Sequence, residues 1–331
     1  MKTERTLGWL IGVAMWLGSE MVEPRLAGAE RAAPGDKPRP IQPVRFGFTA
    51  AENGEFLFDT GVLRGKLRAG GKSLGLSSVV HIPSGLPLDR SNGLFSHYRV
   101  FSGDTRYGVG AWDWPSVARL LEDGAVEVQW PAATNRPFEM TATYRWAAEA
   151  TLDLETVVKP GKDLPGFEVF LASYFSEPFT NCLVYVKDSP GKVGQAGFLA
   201  ATKPLGDWQM FPKDGSVVPL IKDGRWTLEP NPVNWIVMPE FRTPLAMRRD
   251  AKSGLTAVLM APPTDCFAIA TPYEAEGHRS LYFSLFGRGL KAGEQARARS
   301  RLVIATNPTE QQVIALEQAY HLTTGRRSTL R

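Results

Sequence analysis

Apolar and polar residues alternate along most of the chain beyond residue 44. The segment FEMTATYRW at residues 138–146 shows the pattern clearly, and residues 151–156 and 297–304 repeat it. The apolar face of the first segment consists of Phe138, Met140, Ala142, Tyr144 and Trp146. A period of two is typical of an extended strand with one buried and one exposed face. These segments are therefore predicted to be half-buried β-strands.

Turn residues separate such segments, as at Asp123-Gly124, Asp214-Gly215 and Asp223-Gly224. Roughly 15 strands with turns every 8 to 12 residues predict an all-β sandwich or barrel. No helical pattern of 10 to 15 residues alternates with the strands, which disfavours a parallel α/β sheet. We therefore expect one large antiparallel β-sandwich over residues 44–306.

One helix is predicted, within residues 307–331, ahead of a short basic tail. Asn307 is the expected N-cap, Pro308 the first helical residue and Glu310 the third residue after the cap. The apolar stripe of this helix consists of Val313, Leu316 and Tyr320. Such a stripe predicts packing against the sandwich.

Residues 1–29 have the features of an export signal. Lys2 and Arg5 precede 11 apolar residues at 7–17, and Ala27 and Ala29 form an A-x-A cleavage pattern. Eleven residues are too few to cross a hydrocarbon core of about 30 Å, so no stable membrane span is expected after signal removal. Residues 30–43, rich in proline and charge, are predicted to be a flexible lead. We expect a periplasmic or secreted protein.

Composition excludes several classes of function. The 331 residues are 43% hydrophobic and carry a formal charge of +4, without the dense basic run that nucleic-acid binding needs. No metal, nucleophile or phosphate-loop motif is present, so no cofactor is predicted. Cys182 and Cys266 lie in apolar strand-like segments. The sequence leaves open whether they form a disulfide or remain two buried thiols. The sequence does not determine the oligomeric state.

Residues 93–115 combine polar and aromatic side chains. Strict alternation through the strand predicted at 95–101 places His97 and Arg99 on one face and Tyr98 on the other. Such a pair can orient an anionic or hydroxyl-rich ligand, and an imidazole can act as acid or base near neutral pH. The alternative is that both residues are structural.

Trp112, Asp113 and Trp114 follow in a predicted loop. An aromatic ring beside a carboxylate suits a sugar, which offers an apolar C–H face and a rim of hydroxyls. Packing in the core is the alternative for each tryptophan.

Glu168 is predicted to share a face with Phe170, Ala172 and Tyr174. A carboxylate on an apolar face requires a partner, so Glu168 is either a site residue or half of a buried ion pair, for which Arg145 is the suggested cation. Glycoside hydrolysis needs two carboxyl groups across the scissile bond. Asp113, Glu139 and Glu274 are the candidates for the second group.

Two segments resemble the galactose mutarotase-like supersandwich, the fold of aldose 1-epimerases and of domains in several polysaccharide-acting enzymes. The run EVFLASYF at residues 168–175 is similar to an Asn-His-x-Tyr-Phe segment of those epimerases. Residues 281–304 resemble the family's Leu-Lys-x-Gly-Glu turn before a long final strand. The resemblance implies a supersandwich with a mono- or oligosaccharide as partner.

The resemblance does not extend to the catalytic positions. The family's histidine would fall at Ala172 and its late glutamate near Ala270 and Thr271, with Glu274 and Glu276 nearby. Epimerisation needs an acid and a base on opposite sides of the ring oxygen and the anomeric hydroxyl. The loss of both groups implies no ordinary mutarotase activity.

Three functions remain open. The first is an exported carbohydrate-recognising protein, with ligand contacts from Arg99, Trp112, Asp113, Trp114, Arg145 and Tyr174. The second is a sugar epimerase, polysaccharide lyase or glycoside hydrolase that uses His97 with Glu168 or Glu274. The third is a non-catalytic protein that interacts with other envelope components.

Overall fold

The computed structural model describes residues 46–68, 73–273 and 279–328, which contain 21 strands in three sheets. The predicted export signal, the flexible lead and Glu274 lie outside the described residues. Within the described part, no helix has the length and apolarity needed to cross a membrane.

Two large sheets, antiparallel except for one short edge pair, form the sandwich that the alternation predicts. The nine-stranded sheet contains, in spatial order, β14 (Gly197–Ala200), β13 (Asn181–Val186), β17 (Phe241–Arg249), β18 (Leu255–Met260), β21 (Ala296–Thr306), β11 (Thr151–Pro160), β10 (Phe138–Ala148), β9 (Val126–Trp130) and β8 (Val117–Leu120). The seven-stranded sheet contains β16 (Ile236–Val237), β15 (Trp208–Pro212), β19 (Cys266–Pro272), β20 (Arg279–Leu290), β12 (Leu164–Phe175), β6 (Ser96–Ser102) and β7 (Thr105–Arg106). Their facing sides enclose the main core, which we call the inner core.

A smaller sheet closes one part of the sandwich. It contains β1 (Phe48–Ala50), β2 (Glu55–Asp59), β3 (Leu63–Arg68), β4 (Gly75–His81) and β5 (Leu86–Pro87). Phe58 of β2 packs against Trp146 of β10, with ring centroids 4.8 Å apart. This sheet therefore extends the inner core rather than forming a second one.

Strands β10 and β11 show how the sequence produces the sandwich. They pair in register from Phe138 opposite Pro160 to Trp146 opposite Leu152, and the apolar face predicted for β10 is buried in the inner core. The turn before β9 follows from Asp123-Gly124, since Gly124 adopts φ +80° and Asp123 accepts a hydrogen bond from the Ala125 amide. Alternation and turn chemistry thus agree here.

Helix α2 spans Glu310–Ser328 and packs on the outer face of the nine-stranded sheet through Val313 and Tyr320. The predicted cap is wrong by two residues. Thr309 is the N-cap, because its hydroxyl accepts from the Gln312 amide at 3.2 Å while the Gln312 side chain accepts from the Thr309 amide at 2.8 Å. Asn307 instead has φ +49°.

One long connection crosses the outer face of the seven-stranded sheet. Residues 213–238, which we call the strap, join β15 to the strands that follow and include helix α1 (Val218–Ile221), two 3₁₀ turns and β16. Its buried residues include Trp226 and Trp235. The strap and the sheet side chains beneath it form a second apolar cluster, which we call the strap face.

Cys182 and Cys266 are both free and buried.

Candidate functional site

A β-bulge in β6 determines which of its polar side chains can share a site. The pairing of β6 with β12 shifts between Val169–Val100 and Leu171–His97, so that Tyr98 and Arg99 together stand opposite one residue of β12. A bulge of this kind interrupts the two-residue alternation. The prediction that His97 and Arg99 lie on one face is therefore wrong: His97 enters the inner core, whereas Arg99 lies on the strap face.

His97 is fully buried between the two large sheets. Its Nε2 lies 2.9 Å from the Thr156 hydroxyl, its Nδ1 lies 3.5 Å from the Tyr144 hydroxyl, and its ring packs on Trp130 at 5.1 Å. Burial lowers the pKa of His97 to about 3, so the imidazole is neutral near pH 7. The expected acid or base role at a solvent-accessible groove does not fit this position.

Aromatic side chains fill the strap face. The closest ring pairs are Tyr98 stacked on Trp112 at 4.1 Å and Phe170 stacked on Tyr282 at 4.4 Å, and Trp226 of the strap packs edge-on against Phe170 at 4.6 Å. Further rings come from Phe101, Tyr174, Trp208 and Trp235. Such rings suit the C–H faces of a sugar. In this structure the strap covers them.

Arg99 lies among these rings with an exposed fraction of only 2%. Its guanidinium carbon is 5.1 Å from the Tyr98 ring centre and 5.3 Å from that of Trp226. One terminal nitrogen donates to the backbone carbonyl of Asn231 in the strap at 2.6 Å. Within the described residues, Nε and Nη1 have no hydrogen-bond partner. A buried guanidinium with two unused donors is costly unless another acceptor reaches it.

Two further arginines attach the strap to the fold. Arg106 of β7 donates to the backbone carbonyls of Leu228 and Pro230 in the strap. Arg225 of the strap donates to the Gly166 carbonyl at 2.7 Å and pairs with Glu168 of β12 at 3.3 Å. The strap is thus held by charged groups as well as by its tryptophans.

Glu168 lies on the strap face, on the same side of β12 as Phe170, Ala172 and Tyr174, as predicted. Burial raises its pKa to about 7, although the Arg225 guanidinium acts in the opposite direction. The suggested pairing with Arg145 is wrong. Arg145 pairs with Asp123 in a solvent-accessible position away from the strap face, and so it is not placed to contact a ligand there.

The two positions that the family resemblance assigns to catalysis lie in one row across three neighbouring strands. Ala172 of β12 and Ala270 of β19 both stand opposite Tyr282 of the intervening strand β20. All three side chains belong to the strap face. The methyl groups leave room that the stacked rings of Phe170 and Tyr282 occupy.

Trp112, Asp113 and Trp114 diverge. Trp112 joins the strap face and its Nε1 donates to the Asp113 carboxylate at 3.0 Å, whereas Trp114 enters the inner core and donates to the Tyr107 carbonyl at 3.2 Å. Asp113 is exposed and lines a separate cleft with an edge of Trp114. The three residues therefore do not form one aromatic–carboxylate site.

Sequence reasoning missed Arg225, Trp226 and Arg106. The strap has no alternation and many turn residues, so the strand patterns give no information on its contacts. The one available signal was the RW pair after Asp223-Gly224, because a bulky apolar residue beside an arginine in a turn-rich segment suggests that the segment is anchored.

The fold was compared with known proteins. No protein-family model and no curated protein sequence matches the chain. Among solved structures, an α-N-acetylgalactosaminidase from Bifidobacterium bifidum in complex with GalNAc matches with a TM-score of 0.50 and 11% identity, over 84% of this chain and 38% of that one. A galactose mutarotase-related enzyme from Lactobacillus acidophilus matches with a TM-score of 0.47 and 11% identity, over 77% and 99% of the chains.

A galactose 1-epimerase from Lactobacillus acidophilus matches with a TM-score of 0.45 and 11% identity, over 80% of this chain and 98% of that one. These are similarities of fold alone. The predicted distant likeness to galactose mutarotase-like folds is confirmed at that level, in a chain whose large sheets and terminal helix have the predicted architecture.

Proposed function

We propose that this chain is an exported protein that recognises a mono- or oligosaccharide at the strap face and does not catalyse ordinary mutarotation. The observation that carries the proposal is the position of Arg99. Its guanidinium lies between the rings of Tyr98 and Trp226. Two of its nitrogen atoms, Nε and Nη1, donate no hydrogen bond to a described residue. A sugar supplies both missing partners, since its hydroxyls accept hydrogen bonds and its C–H groups pack on rings.

Access to this face requires the strap to move. The strap is attached to the sheet through backbone carbonyls, one buried ion pair and the packing of Trp226, and the proposal requires residues 213–238 to lift with the loss of these contacts. Saccharide binding would then replace the Asn231 carbonyl as the acceptor for Arg99. A lifting connection of this kind is a common way to admit and enclose a ligand.

The same face supports recognition over epimerisation. Mutarotation needs an acid and a base at the ring oxygen and the anomeric hydroxyl, and the corresponding positions hold Ala172 and, in the late strand, Ala270 and Thr271. His97 cannot replace them, because it lies on the other side of the sheet. The GalNAc named for the Bifidobacterium structure agrees with a sugar as ligand, in a protein of similar fold.

The proposal is tested by calorimetric titration of the mature protein against saccharides first selected on a glycan array. We expect Arg99→Met and Trp112→Leu each to weaken binding at least about tenfold, since a charge-assisted hydrogen bond or a stacked ring is removed. Arg119→Met, at an exposed ion pair on β8, is the matched control and should bind as the wild type. Full retention of affinity in both strap-face variants would refute the site.

A second candidate is a carbohydrate-active enzyme that uses Glu168. A buried carboxyl with a pKa of about 7 is suited to donate a proton at neutral pH. Cleavage of array-selected oligosaccharides by the wild type, lost in Glu168→Gln, would favour this candidate over binding alone.

A further inference from the structure

A surface cleft lies beside the strap face, on the other side of residues 107–115. Its volume is about 420 Å³, within the range of about 300 to 1,000 Å³ that small-molecule sites occupy. Its walls are formed by Tyr107, Gly108, Val109, Gly110, Asp113, Trp114, Pro115, Pro131, Ala132, Ala133, Asn135 and Arg136. Proline rings and aromatic edges provide the apolar part, and three side chains provide the polar part.

Arg136 is the distinctive group of this cleft. It is only 6% exposed, its guanidinium lies 4.2 Å from the Trp114 ring centre, and one terminal nitrogen donates to the Pro131 carbonyl at 2.6 Å. Its Nε has no hydrogen-bond partner among the described residues. A buried cation that lines a cavity and keeps an unused donor favours an anionic acceptor.

Charged groups of both signs lie at the cleft. Asp113 and Arg136 belong to the lining. Arg106 donates to the carbonyls of Gly108 and Val109, which form part of the wall, at 3.1 and 2.8 Å. Glu229 interacts electrostatically with Arg106, so the buried guanidinium of Arg136 is the group on which recognition of an anion rests.

We propose that this cleft is a second saccharide site, which takes a sugar ring that carries a carboxylate, that is, a uronate. The carboxylate binds the part of the Arg136 guanidinium that forms the cleft wall, the ring packs against Pro115 and Pro131, and a ring hydroxyl donates to Asp113. The inference rests on the proposed saccharide recognition, but it uses different residues. Arg136 and Val109 belong to the cleft and Arg99 belongs to the strap face, so the two sites can be altered separately.

The test compares galacturonate with galactose, which share ring stereochemistry and differ in the carboxylate. Both are titrated into the mature protein, its Arg136→Gln and Val109→Trp variants, and Arg119→Gln as the matched exposed control. We expect galacturonate to bind at least about tenfold more tightly than galactose, and both cleft variants to lose that preference. Val109 is 46% exposed, so the tryptophan fills the cleft without disturbing a buried group if Arg136→Gln fails to fold.

The outcomes separate this inference from the proposed function. Galacturonate binding that survives both cleft variants but is lost in Arg99→Met would overturn the cleft site and leave the strap face supported. Galacturonate binding that Arg99→Met leaves unchanged, with no other saccharide bound, would support the cleft and refute recognition at the strap face. Equal affinity for galactose and galacturonate would overturn the charge assignment.

Discussion

The two faces of strand β6 bury polar groups in different ways. On the inner face, His97 is neutral and lies within hydrogen-bonding distance of two hydroxyl groups, those of Thr156 and Tyr144. On the strap face, Arg99 is buried to a similar degree but uses one of its three nitrogen atoms toward the strap and leaves the other two without a described partner.

This difference is the basis for proposing the strap face, rather than the inner face, as the one that contacts a ligand. Buried polar groups in native proteins are almost always hydrogen-bonded, so a satisfied group such as His97 is explained by the fold alone. Arg99 and Glu168 are explained incompletely by the fold. Under the strap, Nε and Nη1 of Arg99 and Oε1 of Glu168 are buried without a hydrogen-bond partner among the described residues, a combination that costs stability.

The largest expected effect comes from removing the cation that pairs with Glu168. At pH 8, Arg225→Met leaves the buried carboxyl of Glu168 without its partner and raises its pKa further, so that the carboxyl must take up a proton or stay charged and unpaired; the free energy of unfolding should fall by about 3 to 5 kcal/mol. Urea unfolding measures this change. Arg119→Met, at an exposed pair, should change it by less than about 1 kcal/mol.

Adding Glu168→Leu to Arg225→Met should restore most of the lost stability, because two apolar side chains can replace a buried ion pair at little cost. A double variant as unstable as Arg225→Met would show that Arg225 acts chiefly through its bonds to Gly166 and Asp223. The stability of the strap face would then not depend on the charge of Glu168.

The sequence was sufficient for much of the fold and for less of the site. Alternation correctly assigned the buried face of β10 and the position of Glu168 beside Phe170, because side chains on a regular strand follow the pleat. It failed at Tyr98 and Arg99, where a bulge adds one residue to the strand. Bulges depend on the partner strand, which alternation within one segment does not reveal.

Partners in an irregular segment were equally hidden. Arg225 lies 57 positions from Glu168 in a connection without periodicity, so nothing local indicated the pair. The helix cap was predictable in principle, since Thr309 and Gln312 form a capping box two residues after the expected N-cap. There the proline at 308 misled the assignment, because proline at the first helical position is a frequent start signal.

The next largest effect is on the pH dependence of the free energy of unfolding, to which His97 on the inner face and Glu168 on the strap face contribute with opposite sign. The pKa of His97 falls from 6.5 to about 3 on folding, so its contribution to stability is present above pH 6.5 and is lost as the pH falls toward 3. The pKa of Glu168 rises from 4.5 to about 7, so its contribution is present below pH 4.5 and is lost as the pH rises through 7. Between pH 4.5 and 6.5 the two slopes, each about 1.4 kcal/mol per pH unit, oppose each other.

Single substitutions should reveal each slope. Relative to the wild type, His97→Gln should lose stability as the pH rises from 3 to 6.5, and Glu168→Gln should gain stability as the pH rises from 4.5 to 7. Urea midpoints at half-unit pH intervals provide the measurement. Parallel curves for both variants would mean that neither group titrates on folding as its burial implies.

The smallest effect on stability, and the sharpest contrast with function, is expected for Arg99→Met. The substitution removes two donor nitrogens that have no hydrogen-bond partner, which stabilises the folded state. This gain offsets the lost hydrogen bond to Asn231 and the lost ring contacts. The free energy of unfolding should therefore change by less than about 1 kcal/mol. His97→Gln breaks satisfied contacts in the inner core and should cost more. A large loss of stability in Arg99→Met would assign the guanidinium a structural role like that of His97, and the contrast between the two faces would disappear. Retained stability together with lost saccharide binding is the result that a ligand-directed arginine requires.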